Sequence, residues 1–202
     1  MTPILILAAG ASRRMGGADK LLQPVAGRPL LAVMAARACA TGREVFVALP
    51  GPGHPRAAAL AGSRARPVRV ADAGEGMAAS IRAGVAALPP DAPGVMILPA
   101  DMPDLTEADL RATLEAFEQA APPRPILRAA DETGRPGHPV IFPGDLLAEL
   151  GRITGDEGAR GVVQAHQGRV ALLSLADAHA TTDLDTPEDW ADWRARQGGC
   201  GN

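Results

Sequence analysis

The 202-residue chain predicts a three-layer α/β domain: a mainly parallel sheet covered by helices on both faces. Two observations carry that expectation. Short apolar runs alternate with helical stretches through the first half, and turns rich in Gly, Pro or Asp separate them. The first such turn is a loop of small residues with two arginines and a lysine, placed where open α/β sheets bind their ligands.

The apolar run from Ile4 reads as a buried strand that ends at Gly10. In the loop from Gly10 to Lys20, glycines permit close backbone approach, and Arg and Lys suit phosphate oxygens. Gly27-Arg28-Pro29 opens a helix from Leu30 to Ala40, apolar nearly all round and so packed on the sheet. Glu44 to Leu49 is a second strand, stopped by Pro50-Gly51-Pro52-Gly53. A short helix over Ala57 to Leu60 and a third strand over Pro67 to Ala71 follow. Gly76 to Leu88 reads as a helix ended by Pro89-Pro90.

Val95 to Ala100 is a fourth strand, finishing at Asp101. Thr106 and Asp109 form a capping box for a helix reaching about Ala121. Pro125 to Arg128 and His138 to Phe142 read as short strands around a turn-rich segment. Gly144 to Leu150 and Ala159 to Ala165 read as helices, and Val170 to Leu175 as a late strand. Thr186-Pro187-Glu188-Asp189 supplies an N-cap, a first-turn proline and two acids for a last helix. Trp190 and Trp193, at helical spacing, pack that helix onto the body. With no long linker, residues 1–197 read as one domain and 198–202 as a disordered tail.

A net charge of -3 without single-sign blocks argues against a nucleic-acid partner. Three Phe, two Trp and no Tyr leave little for base stacking. Cys39 and Cys200 are too few and too far apart for a disulfide or metal framework. Met1-Thr2-Pro3 leads into the first strand without a basic leader, and no apolar run approaches membrane-spanning length. A cytoplasmic protein with no membrane partner is expected. His54, His166 and His179 lack metal-ligand spacing and read as surface residues.

Two common nucleotide signatures fail. A Walker loop needs glycine before its lysine, and Lys20 follows Asp19; the dinucleotide fingerprint needs a glycine where Ser12 stands. Leu7-Ala8-Ala9-Gly10-Ala11-Ser12-Arg13-Arg14-Met15-Gly16, followed by Lys20, instead resembles the signature of nucleotidyltransferases with a modified Rossmann-like fold. Further segments are similar to that family's motifs in the same order. They are Gly74-Glu75-Gly76-Met77-Ala78-Ala79-Ser80, Leu98-Pro99-Ala100-Asp101, Arg135-Pro136-Gly137-His138-Pro139-Val140, Gly155-Asp156-Glu157-Gly158-Ala159-Arg160 and Asp183-Leu184-Asp185-Thr186-Pro187.

Within the family the chain most resembles the molybdenum cofactor cytidylyltransferases. The resemblance implies transfer of CMP from CTP to the terminal phosphate of molybdopterin or molybdenum cofactor, with Mg2+ and release of pyrophosphate. A recipient molybdoenzyme or its chaperone is then a further partner. The acceptor phosphate is itself the nucleophile, so the protein must neutralise charge and align the attacking and leaving oxygens. The resemblance assigns catalysis to Arg14, Lys20 and Asp101, and nucleotide contacts to Leu7, Ala8, Ala9, Gly10, Ser12, Arg14, Lys20, Gly74, Gly76, Ser80 and Asp101. It assigns acceptor contacts to His138, Arg160 and Asp183, and the metal to Asp101 and Asp185. Two carboxylates suit magnesium, which keeps waters and binds substrate phosphates as well. Asp101 ends an apolar strand, and Thr106 already caps the next helix. Arg13 reads as solvated, because adjacent loop side chains diverge.

Ala9 stands where guanylyl members of the family carry glycine, and its methyl suits a pyrimidine. One methyl discriminates by only ~1–3 kcal/mol. A guanylyltransferase using GTP, and a cytidylyltransferase for another phosphorylated acceptor such as an isoprenoid precursor, are the rival enzymes. A chaperone that carries molybdenum cofactor is the non-enzymatic rival, but it has no use for Lys20, Asp101 and Asp185.

Overall fold

The computed structural model describes residues 1–156 and 158–199. In chain order the elements are β1 (Ile4–Leu7), β2 (Pro24–Val25), β3 (Arg28–Pro29), α1 (Leu30–Ala40), β4 (Val45–Leu49), α2 (Pro55–Ala58), β5 (Arg66–Arg69) and α3 (Met77–Ala86). They continue with β6 (Gly94–Pro99), α4 (Glu107–Gln119), β7 (Ile126–Ala130), β8 (Pro136–Pro143), α5 (Leu147–Leu150), α6 (Arg160–Ala165), β9 (Val170–Ser174) and α7 (Pro187–Gly199).

Seven strands form one sheet in the order β5-β4-β1-β6-β8-β7-β9, and β2 pairs with β3 in a small hairpin. Within the seven-stranded sheet, among the described residues, only β8 runs against its neighbours β6 and β7, and the other pairings are parallel; the β2–β3 hairpin is antiparallel. From β1 the chain builds outward through β4 and β5, then crosses to place β6 on the other side. The carboxyl end of β1 is therefore the point where strand order reverses, which is where such sheets form a ligand crevice.

Strand alternation makes the three layers. Ile4, Ile6, Val45, Val47, Met96 and Leu98 join one core cluster with Leu30, Leu31 and Met34 of α1, Leu110 and Phe117 of α4, and the two tryptophans of α7. Leu5, Phe46, Ala48, Val95 and Ile97 join the other, with Ile81 of α3, Leu150 of α5 and Val162 of α6. Gly84 brings α3 hard against β1: a Cβ there would lie 2.2 Å from Leu5 Cδ2.

Local signals set the helix starts. The Thr106–Asp109 capping box is formed in both directions. Thr186 Oγ1 accepts from the Asp189 amide at 3.1 Å, while the Asp189 carboxylate accepts from Thr186 N at 2.8 Å. Trp190 and Trp193 stack edge to face with centroids 5.9 Å apart, and Trp193 Nε1 donates to Asp104 at 2.7 Å.

Several expected boundaries move. The third strand starts one residue earlier, at Arg66, and ends at Arg69. The short helix begins at Pro55, because His54 Nδ1 accepts from the Arg56 amide and caps it. Gly144–Leu146 is a tighter 3-10 turn ahead of α5. His138, expected at the start of a short strand, lies inside the eight-residue β8. Gly137 lets the chain around Ala180 lie against β8, since a Cβ there would fall 1.8 Å from the Ala180 carbonyl oxygen, to which His138 N donates at 2.8 Å. The last helix runs through Gly199, past Gln197, so residues 198 and 199 are helical; residues 200–202, including Cys200, lie outside the described residues. Among the described residues no helix is long and apolar enough to cross a membrane.

Candidate nucleotide site

A cleft of about 750 Å³ opens at the carboxyl ends of β1 and β6. Its walls include Leu7, Ala9, Gly10, Ser12, Arg14 and Lys20 from the first loop, Gly74, Gly76 and Ser80 at the entry of α3, and Asp101 and Asp185. Residues 178 positions apart in the chain thus face one space, as the motifs predict. Ala8 is the exception. The strand's alternation turns its side chain into the core, leaving only its backbone near the loop. Arg13 sits exposed on the cleft rim.

The loop is bent by backbone conformation. Ser12 adopts φ 50°, and Gly16 and Gly17 follow at φ 60° and 96°. Among the described residues, the amides of Gly10, Ala11 and Ser12 donate to no protein acceptor. Successive free amides of this kind form an anion-binding concavity.

At the floor, the Lys20 ammonium bridges two carboxylates. It donates to Asp101 Oδ2 and, at 2.6 Å, to Asp185 Oδ1, while Arg14 reaches Asp185 Oδ2 at 2.6 Å. Burial pushes the Lys20 pKa down, but its two carboxylate partners outweigh that and raise it, so the cation is permanent. Burial pushes the Asp185 carboxyl up, and Lys20 and Arg14 together bring it below its ordinary value. Asp183 has no such partner: burial and the charges of Asp101 and Asp185 raise it. Asp183, which the resemblance assigns to the acceptor, therefore stands in this carboxylate cluster and is not among the residues that line the cleft. The donor set fits a divalent cation. Asp101 and Asp185 already converge on one cationic point, and the second oxygen of Asp101 is buried without a protein partner.

A second cavity, of about 900 Å³, adjoins the first across the shared Met77. His138 and Arg160 line it with Arg128 and an apolar wall of Ile81, Ile97 and Val140. Burial, and then the neighbouring Arg128, hold the His138 imidazole to about 4, so it is neutral at pH 7. Burial and the charge of Arg160 also lower Arg128.

Sequence reasoning missed Arg56 and Arg128 and gave Asp156, inside a motif segment, no role of its own; all three line these spaces. The available signal for Arg56 was topological: it follows β4, whose carboxyl end lies beside that of β1. Two of the other histidines pair with carboxylates. His166 meets Glu149 at 3.0 Å, and His179 meets Asp109 at 2.9 Å.

A family model described as "MobA-like NTP transferase domain" matches residues 4–170. The chain belongs to this family. A 2-C-methyl-D-erythritol 4-phosphate cytidylyltransferase of Streptomyces coelicolor is 32% identical over 93% of this chain and 71% of its own length. A molybdenum cofactor guanylyltransferase of Rhodopseudomonas palustris is 37% identical over 75% of this chain and 71% of its own. The nicotine blue oxidoreductase of Paenarthrobacter nicotinovorans is 28% identical over 91% and 92%. Among solved structures, Rv0371c of Mycobacterium tuberculosis H37Rv superposes with a TM-score of 0.81 and 28% identity, over 95% of this chain and 96% of that one. A manganese complex of Rv0371c superposes at 0.78. This MobA-like chain is a nucleotidyltransferase, on the modified Rossmann-like fold its motifs predict.

Proposed function

We propose that this transferase moves CMP from CTP to the terminal phosphate of molybdopterin or molybdenum cofactor. The acceptor oxygen forms a bond to the α-phosphorus, the bond from that phosphorus to the bridging oxygen breaks, and pyrophosphate leaves. The observation that carries the reading is the pair of adjoining cavities. One is lined by a loop of free amides and cations. The other is largely apolar, with two arginines that suit an anionic group on a planar body.

In this reading Lys20 and Arg14 exchange their carboxylate partners for triphosphate oxygens, while the amides of Gly10 to Ser12 hold a phosphate. Ala9 and Ser80, both nearly buried at the cleft wall, frame the base with Gly74 and Gly76. Asp101 and Asp185 would hold Mg2+, which when bound neutralises phosphate charge. Arg160 and Arg128 receive the acceptor's anionic group, and neutral His138 accepts or donates a hydrogen bond without adding charge.

A second reading, CMP transfer to another phosphorylated acceptor, draws support from the cytidylyltransferase relative; GTP as donor draws support from the guanylyltransferase relative. Purified protein given CTP and GTP in competition, with molybdopterin or methylerythritol phosphate and Mg2+, separates them. CTP consumption with molybdopterin alone is expected. Exclusive use of GTP would overturn the role of Ala9, and turnover with methylerythritol phosphate alone would overturn the acceptor. Asp101→Ala is expected to keep the fold, by circular dichroism, and to lose metal-dependent pyrophosphate release. An active Asp101→Ala enzyme removes Asp101 from the metal.

A further inference from the structure

We propose that Arg56 is the positioning residue that holds the nucleotide loop in its anion-binding shape. The inference rests on the reading of the cleft as a triphosphate site.

Arg56 is among the largest fully buried side chains, with 2% exposure, yet it belongs to the four-residue helix α2 and not to the loop. All five of its N–H donors are used, and each one ends on the loop. Nη1 donates to the carbonyls of Ala8 and Gly10, both at 2.7 Å. Nη2 donates to Ser12 Oγ at 3.0 Å and to Asp19 Oδ1 at 2.8 Å. Nε donates to Asp19 Oδ2 at 2.8 Å. One rigid plane therefore clasps both ends of the loop, residues 8–12 and residue 19.

The consequence follows from peptide geometry. In a trans peptide the carbonyl of one residue and the N–H of the next point opposite ways. Drawing the Ala8 and Gly10 carbonyls onto the guanidinium turns the amides of Ala9 and Ala11 away from it, and both residues line the cleft. A cation behind those carbonyls also polarises the two peptides, which strengthens their amides as donors to an anion. Asp19 neutralises the guanidinium and accepts from Leu21 N at 3.0 Å. It thereby starts the turn Lys20–Leu22 that carries Lys20 to Asp101 and Asp185. Ser12 Oγ, held by Arg56, accepts from Lys20 N at 3.3 Å and closes the circuit. Arg56 touches no reacting atom in this scheme. It acts through the amides and through Lys20.

The test uses the full chain, with MgCTP, inorganic tripolyphosphate and cytidine as separate probes of binding. Arg56→Ala is expected to weaken MgCTP and tripolyphosphate about thirtyfold, equal to about 2 kcal/mol, while cytidine changes less than about threefold. Because truncation leaves a guanidinium-sized space, millimolar guanidinium should restore at least about tenfold of the lost tripolyphosphate affinity, and sodium at equal ionic strength should not. Arg56→Lys, with three donors at one point, cannot span two carbonyls, a hydroxyl and a carboxylate, and should fall at least about tenfold if Arg56→Ala does not fold. Tripolyphosphate binding within threefold of the unmutated protein, or lost binding that guanidinium does not restore, overturns the role of Arg56. If the unmutated protein binds no tripolyphosphate, the reading of the cleft itself falls.

Discussion

Replacing Lys20 by methionine keeps most of the stem and removes the charge that joins two carboxylates. Asp101 and Asp185 are 17% and 20% exposed and share that one ammonium. Their oxygens therefore lie within about 5 Å of each other, where two like charges at an effective dielectric constant near 20 repel by about 3 kcal/mol. Arg14 stays on Asp185 and the side chains can spread, so a loss of about 2 kcal/mol at neutral pH is expected. The sign with pH is distinctive. In the unmutated protein burial pushes Asp185 up, and Lys20 with Arg14 overcomes it, so Asp185 contributes stability above its unfolded pKa that fades in acid. In Lys20→Met the Asp185 carboxyl loses the largest influence that lowers it, and burial then raises it above its unfolded value. The deficit is then full at pH 7 to 8 and shrinks as pH falls toward about 4, the unfolded carboxylate value. Urea denaturation across that range, with and without Mg2+, reads it directly. Mg2+ should recover part of the stability at pH 8, and MgCTP affinity should fall at least about tenfold. A deficit that is equal at pH 5 and pH 8, or that ignores Mg2+, would refute the account of Lys20 as the counter-ion of this pair.

Two further predictions concern the frame. His138, held to about 4 in the folded protein by burial and Arg128, has an unfolded value near 6.5, so the unfolded chain binds the extra proton between those limits. Stability should therefore drop by up to about 3 kcal/mol as pH falls from 6.5 to 4; His138→Asn should flatten that slope in denaturation midpoints, and an unchanged slope removes the assignment. Gly84→Ala drives a Cβ against Leu5 in a fully packed core and should cost about 1–3 kcal/mol. The second change Leu5→Ala should return part of it, and a melting temperature unaffected by Gly84→Ala would show that α3 does not rest on β1 this closely.

Much of the framework was legible because its signals are local. Ile4 to Leu7 and Val95 to Leu98 are apolar runs too short for helices, and both form neighbouring strands. Thr106 and Thr186 announce their helices through bonds reaching only three residues. The loop was visible in the same way, since glycines, a serine, two arginines and a lysine follow directly on the first apolar run. Strand β8 was harder. Read from sequence it begins only at His138, and the approach of Ala180 shows why a glycine stands just before that, inside the strand.

What the sequence determined by itself was the alternation of strands and helices, the helix caps, and the residue types gathered at strand ends. Those depend on the periodicity and capping chemistry of nearby residues. Only the tertiary structure decided which distant groups meet. It put Asp183 with the carboxylates and outside both cavities, turned the Ala8 side chain into the core, and joined the two cavities at Met77. It also sent Arg56 from the helix after β4 to the loop after β1. Such meetings follow from strand order and from the depth at which a side chain is buried. Neither leaves a periodic trace in the chain.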